Sequence, residues 1–243
     1  MARYKIKIQY DGANYCGWQI QRGKNTIQNV LEDAILPLNG NNRVVVTGAG
    51  RTDTGVHALG QVAHFDLDTQ LDTNQLRKAI NARMPNDIRI MHLEIINDDF
   101  HARFSAIKRY YHYQCYLGDN LLFRNQAWLI SDVDTELLNN FARLIVGENN
   151  FLSFSKIDKT KKNTICNIYQ SLWLKKQKML TFKVCGNRFL HHLVRYLVGT
   201  MIAGAQGKIS LEKFRNMLKN PQKDAKVYKA PAQGLILYRI DYD

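Results

Sequence analysis

Tyr4-Lys5-Ile6-Lys7-Ile8-Gln9-Tyr10 alternates without a break. Tyr4, Ile6, Ile8 and Tyr10 fall on one face and Lys5, Lys7 and Gln9 on the other, the period of a half-buried strand. Asp11-Gly12-Ala13-Asn14 reads as a turn. From Thr26, a candidate N-cap, the period becomes helical, with Ile27, Val30, Leu31, Ala34 and Ile35 on one stripe. Pro37 and Asn39-Gly40 close that helix. Val44-Val45-Val46 reads as a short strand and 62–67 as another. A helix from Thr73 or Asn74 through Leu76, Ile80 and Met84 ends at Pro85, and 88–96 is strand again. The order is β-α-β-β-α-β.

The second half repeats that order loosely. Residues 106–117 form an aromatic strand with Tyr110, Tyr111, Tyr113 and Tyr116. A helix over 134–145 turns Leu137, Leu138, Phe141 and Leu144 inward. Residues 165–174 and 178–184 make a hairpin around Lys176-Gln177. An apolar helix is expected over 187–204, a shorter one over 211–218, and a last strand over 235–240. Regular βα alternation, the mark of a parallel sheet, is absent. The expected class is α+β, with two similar subdomains of split βαβ, ferredoxin-like or RRM-like type and antiparallel sheets. The join falls near 100–106, so the expected domains are 1–104 and 105–243.

Lysine plus arginine outnumber acidic residues 34 to 21, a net charge of +13. That excess points to a polyanion, nucleic acid or an anionic membrane. The longest apolar stretch, 193–205, contains Arg195 and falls short of the roughly 20 residues needed to span a bilayer. Nucleic acid is therefore the expected partner. Lysine runs at Lys156, Lys159, Lys161 and Lys162, at Lys175, Lys176 and Lys178, and at Lys219, Lys223, Lys226 and Lys229 suit phosphate contacts, or simply solvated loops. Cys16, Cys115, Cys166 and Cys185 form no C-x-x-C pair, which removes zinc-ribbon and thioredoxin readings and suggests reduced thiols in a cytosol.

The unusual stretch is Gly48-Ala49-Gly50-Arg51-Thr52-Asp53-Thr54-Gly55-Val56-His57-Ala58. A phosphate-binding P-loop needs Lys-Ser/Thr after its last glycine, and Val56-His57 stands there. A dinucleotide fingerprint needs glycine at 53, and that residue is Asp53. What remains is a carboxylate in a tight loop with an arginine two positions before it. Such a neighbour favours the anionic form, which suits nucleophilic or electrostatic work better than proton donation. The plainer alternative is an aspartate that closes a turn beside a surface arginine. His57, His64 and the adjacent His191-His192 read as structural, with no metal motif among them.

Gly50-Arg51-Thr52-Asp53-Thr54-Gly55-Val56-His57-Ala58 resembles the signature of the tRNA pseudouridine synthase A family. Tyr10-Asp11-Gly12, Gly17-Trp18-Gln19 and Thr26-Ile27-Gln28 resemble the family's N-terminal segment. FHARFSAIKR over 100–109 and Tyr111-His112-Tyr113 resemble its central motif. Phe151-Leu152-Ser153-Phe154, 187–195 and 230–235 resemble its C-terminal half. The resemblance implies isomerisation of uridine to pseudouridine at positions 38, 39 and 40 of the tRNA anticodon stem-loop. It implies a cytoplasmic homodimer whose two domains share a central cleft, with no cofactor and no metal. By position it implies that Asp53 is the catalytic nucleophile, that Tyr111 contacts the target base, and that Arg51 and Arg195 line the cleft. The alternatives are a non-catalytic RNA-binding protein on the same scaffold, or a phosphate-loop enzyme, which the missing Lys-Ser/Thr disfavours.

Overall fold

In chain order the elements are β1 (Ala2–Tyr10), α1 (Ile27–Ile35), β2 (Thr47–Gly48), β3 (His57–Leu67), α2 (Thr73–Asn81), β4 (Ile88–Ile96), β5 (Lys108–Leu117), β6 (Trp128–Ile130), α3 (Thr135–Leu144), β7 (Gly147–Asn150), β8 (Ile165–Lys176), β9 (Met179–Gly186), α4 (Leu193–Ala205), α5 (Leu211–Lys219) and β10 (Leu235–Asp241). These come from a computed structural model that describes residues 1–156 and 163–242. Lys159, Lys161 and Lys162 lie outside the described residues. The chain divides into two units, Met1–Ile107 with Ile236–Asp243, and Lys108–Leu235.

In the first unit β1 lies between β4 and β3, antiparallel to both. Ile6 faces Ala63 and Leu93, and Ile8 faces Gln61 and Ile90, so the alternation of 4–10 sets the register across three strands. Ile6 and Ile8 are fully buried, as are Ile27, Leu31 and Ile35 of α1 and Leu76 and Ile80 of α2. Thr26 caps α1. Asp72 caps α2 reciprocally with Gln75, meeting the orphan amides of the first turn. The strand on the edge of β3 is Thr47–Gly48, just after the valine run, because Val44 and Val46 are buried while making no ladder. Glu32, itself buried, draws that run inward. It accepts hydrogen bonds from the Val46 amide and the Gln28 side chain and pairs with Arg43 at 2.9 Å.

β10 completes this unit by running parallel to β3, with Ile236 opposite His57 and Leu237 opposite Ala58. A division at 104/105 places residues 236–243 in the second domain, whereas here they return to the first. No local pattern announces such a pairing between segments so distant in sequence.

The second unit carries β5-β9-β8-β7, antiparallel throughout, with β6 parallel to β5. Its core is aromatic. Phe141 of α3 meets Phe214 of α5 at 5.2 Å, and Phe154 meets Phe214 at 5.0 Å. All three are fully buried, each contributing about 2 kcal/mol. Gly204 of α4 makes room for the Phe141 ring, where a Cβ would stand only 2.3 Å away.

Helix α4 starts at Leu193, later than the apolar run suggests, because 187–192 is tied down as a loop. Asn187 exchanges hydrogen bonds with Asn167 and accepts one from Arg109. His192 takes a left-handed conformation at φ +65°. Of Arg188, His192, Arg195 and Gly199, which a helix over 187–204 would align on one face, only Arg195 and Gly199 lie in α4. The His191 and His192 rings lie 3.9 Å apart rather than diverging along a helix. Among the described residues Cys16, Cys115, Cys166 and Cys185 form no disulfide. Among the described residues no helix is long and apolar enough to cross a membrane.

Candidate active site

The segment leaving β2 carries Arg51 and Asp53 in the first unit. Burial alternates along it: Arg51 is exposed, Thr52 is buried, and Asp53 is half-buried. Thr52 is the inward anchor, so its two charged neighbours turn outward. Its hydroxyl lies 2.8 Å from Tyr10 Oη, and its carbonyl accepts from the Trp18 amide at 3.1 Å. Upstream, Gln61 Nε2 donates to the Gly50 carbonyl at 2.7 Å. Downstream, the Val56 amide closes a turn onto the Asp53 carbonyl, and the Gly55 amide reaches Tyr15.

Three glycines let the walls of this loop touch. A Cβ on Gly12 would lie 2.0 Å from the Val56 carbonyl oxygen. One on Gly17, at φ +86°, would lie 2.4 Å from the Thr52 carbonyl oxygen. One on Gly48 would enter the buried Trp18 ring. Tyr15 Oη donates to Asp87 at 2.6 Å, holding the next layer. The result is an aspartate side chain on a backbone pinned at Gly50, Thr52, Asp53 and Gly55, the kind of rigid mounting that catalytic groups need.

His57 is buried just beyond this loop, and its Nδ1 accepts from the Gly12 amide at 3.1 Å. His64 Nδ1 accepts from the Ala102 amide at 3.1 Å, and burial, His101 and Arg3 push its pKa down to about 4. These bonds tie turns to β3.

Tyr111 and Arg195 belong to the second unit. Tyr111 sits in β5, buried, its ring edge-on to Phe189 at 5.0 Å. Next along the strand, Tyr113 Oη donates to the Pro231 carbonyl. Arg195 opens α4, with Nε donating to the Ala230 carbonyl at 2.9 Å, and the Ala230 amide returns a bond to the Arg195 carbonyl. A Cβ on Gly199 would strike the Tyr228 carbonyl at 2.3 Å, so the chain around 228–230 lies directly on this face of α4. The charge on an apolar helix is thus met partly by backbone. Burial dominates at His112, whose pKa falls to about 4 with Lys183 adding to the shift.

The sequence pointed to Arg51 and Asp53 as unusual but did not reveal Tyr10, Trp18 and Gln61 as their supports. Tyr10 and Trp18 stand within motifs quoted above, yet their contacts with the loop are long-range. Gln61 carried one usable signal, a polar side chain on the buried face of a strand.

A sequence profile described as tRNA pseudouridine synthase matches residues 6–105 and 141–243. The chain belongs to the tRNA pseudouridine synthase family. It is 39% identical to the tRNA pseudouridine synthase A of Dictyoglomus thermophilum, covering 100% of both chains. It is 40% identical to that of Ehrlichia chaffeensis, with 99% of this chain and 100% of the relative covered. With that of Bacillus subtilis the identity is 35%, and 99% of each is covered. As a pseudouridine synthase the chain is an isomerase, and the α+β fold expected from its sequence is the one it has.

Proposed function

We propose that this synthase converts uridine to pseudouridine at positions 38, 39 and 40 of the tRNA anticodon stem-loop, with Asp53 as catalytic nucleophile. The observation that carries this reading is the mounting of Asp53: a half-buried carboxylate on a loop pinned by Tyr10, Trp18 and Gln61, with Arg51 turned outward beside it.

The reaction breaks the C1′–N1 bond, turns the uracil over and forms C1′–C5, while a proton leaves C5 and one is gained at N1. Atoms and electrons balance within the nucleoside, so no redox partner or transferred group enters. Attack at C1′, attack at C6 and a glycal route all use the same anionic oxygen. A uridine in a stem must first leave its stack, at a cost of a few kcal/mol. Arg51 and Arg195 each supply a guanidinium able to hold negative charge through charge-assisted hydrogen bonds. Tyr111 offers a ring face and a hydroxyl to the extruded base. In this reading the enzyme works as a homodimer in the cytoplasm.

The test is to map pseudouridines in unmodified tRNA transcripts after incubation with purified protein and no added cofactor. Modification at 38, 39 and 40 is expected, and Asp53→Asn should abolish it while tRNA affinity stays within a few-fold. Turnover by Asp53→Asn would remove the carboxylate from the chemistry.

A further inference from the structure

We propose that Gln61 is a positioning residue for the Arg51–Asp53 segment, acting through the carbonyl of Gly50. The inference rests on the reading of Asp53 as the nucleophile.

The β2–β3 ladder runs in strict register, Thr47 opposite His64 and Gly48 opposite Ala63. One more backbone bond follows, from the Ala49 amide to the Val62 carbonyl at 2.8 Å. Continuing that register would bring Gly50 opposite Gln61. There the side chain takes over, and Gln61 Nε2 donates to the Gly50 carbonyl at 2.7 Å. Ala49 and Val62 form a hydrogen-bonded pair, so Gly50 opposite Gln61 would fall at a non-bonded position, where the ladder has no backbone amide to give. The Gln61 side chain supplies that donor to the first carbonyl past the ladder. The residue after that carbonyl is Arg51.

Gln61 is an unusual choice for this place. It stands opposite Ile8 on the apolar face of the sheet and is fully buried. Its Oε1 is buried without a hydrogen-bond partner. Turning the amide over would set oxygen against the Gly50 oxygen, because a carbonyl only accepts, so the orphan is built in. An unmet buried acceptor weakens a fold, and an apolar side chain of similar volume would leave no such group. What the amide returns is one bond, placed at the root of the catalytic segment. Beyond Arg51 the chain is held again at Thr52, Asp53 and Gly55. With the Gly50 bond the segment is fixed on both sides of Arg51; without it the approach to Asp53 is held only from its far side.

The test compares wild type, Gln61→Met and Asp53→Asn in melting temperature, tRNA affinity and steady-state kinetics on unmodified transcripts. Gln61→Met keeps the volume and removes both polar atoms. It is expected to melt no lower than wild type and to keep KM within about two-fold, while kcat falls about tenfold or more. A Gln61→Met protein with wild-type kcat overturns the proposal. So does one that melts well below wild type or does not fold, since the amide would then be holding the core. If Asp53→Asn retains turnover, the underlying reading fails, and the positioning role with it. If Asp53→Asn is inactive while Gln61→Met matches wild type, only the positioning role fails.

Discussion

Tyr10 Oη and Thr52 Oγ1 lie 2.8 Å apart in a buried hydroxyl pair, at the end of β1 and one residue before Asp53. The strand whose alternation sets the first unit's register is therefore also the post on which the Asp53 segment hangs. Removing either hydroxyl breaks this buried pair, at about 1–3 kcal/mol. Tyr10→Phe and Thr52→Val are each expected to lower kcat about tenfold. The double variant should lose little more than either single one, because both act on one bond. Thr52→Ser, which keeps the hydroxyl, should retain most activity. Additive losses in this cycle would show that the two side chains act separately.

Gly12→Ala is expected to be among the most damaging substitutions of a single small residue. The added carbon meets the Val56 backbone at 2.0 Å, which no side-chain rotation relieves. The loss should reach about 3 kcal/mol or more by urea denaturation. Gly23→Ala, where the φ is +69° but the space is open, should cost only about 1 kcal/mol. Equal midpoints for the two would contradict this account.

The fold should weaken in acid. His64 is neutral when folded, accepting a bond at Nδ1, and burial first among causes pushes its pKa down to about 4. The unfolded chain titrates near 6.5 and binds the extra proton first. Stability is full above pH 6.5 and falls as pH drops from there toward 4. His112 has the same sign for the same leading reason. Each contributes on the order of 1–2 kcal/mol between pH 7 and 5. Asp66, held below the usual carboxylate range by its hydrogen bonds to Arg3, is lost only at lower pH still. A denaturation midpoint that does not change from pH 7 to pH 5 would refute this, and His64→Asn should flatten the curve.

Affinity for tRNA should fall steeply with salt, since the chain carries +13. Each phosphate neutralised contributes about −0.7 to −0.9 to the slope of log K against log salt. At the β8–β9 hairpin Lys175 is already paired with Asp132 at 3.0 Å, which leaves Lys176 and Lys178 as the better candidates. Replacing both with alanine should reduce the slope by about 1–2 without changing which uridines are modified. A wild-type affinity that does not respond to salt would rule out this use of the charge.

What was legible in the sequence was mostly local. The alternation of 4–10, the Thr26 cap and the stripe of 134–145 each specify one element through contacts a few residues apart. Gly147-Glu148-Asn149-Asn150 contains no residue that favours a strand, and only its partner β8 makes it β7. The onset of α4 was hidden because an apolar run has no period to mark where helix begins. Arg51 and Asp53 stood out by composition and spacing. Their supports did not, because Tyr10–Thr52 and Gln61–Gly50 exist only once β1, β2 and β3 are assembled.

The parallel pairing of Ile236 and Leu237 with His57 and Ala58 has a consequence for biosynthesis. On the ribosome, residues 1–107 emerge long before 236 onward has been translated. For that interval the strand just beyond the Asp53 loop shows an uncovered rim to the crowded surroundings of a nascent chain. A premature stop codon anywhere in the second unit would release a polypeptide in that condition, a ready substrate for chaperones or quality-control proteases.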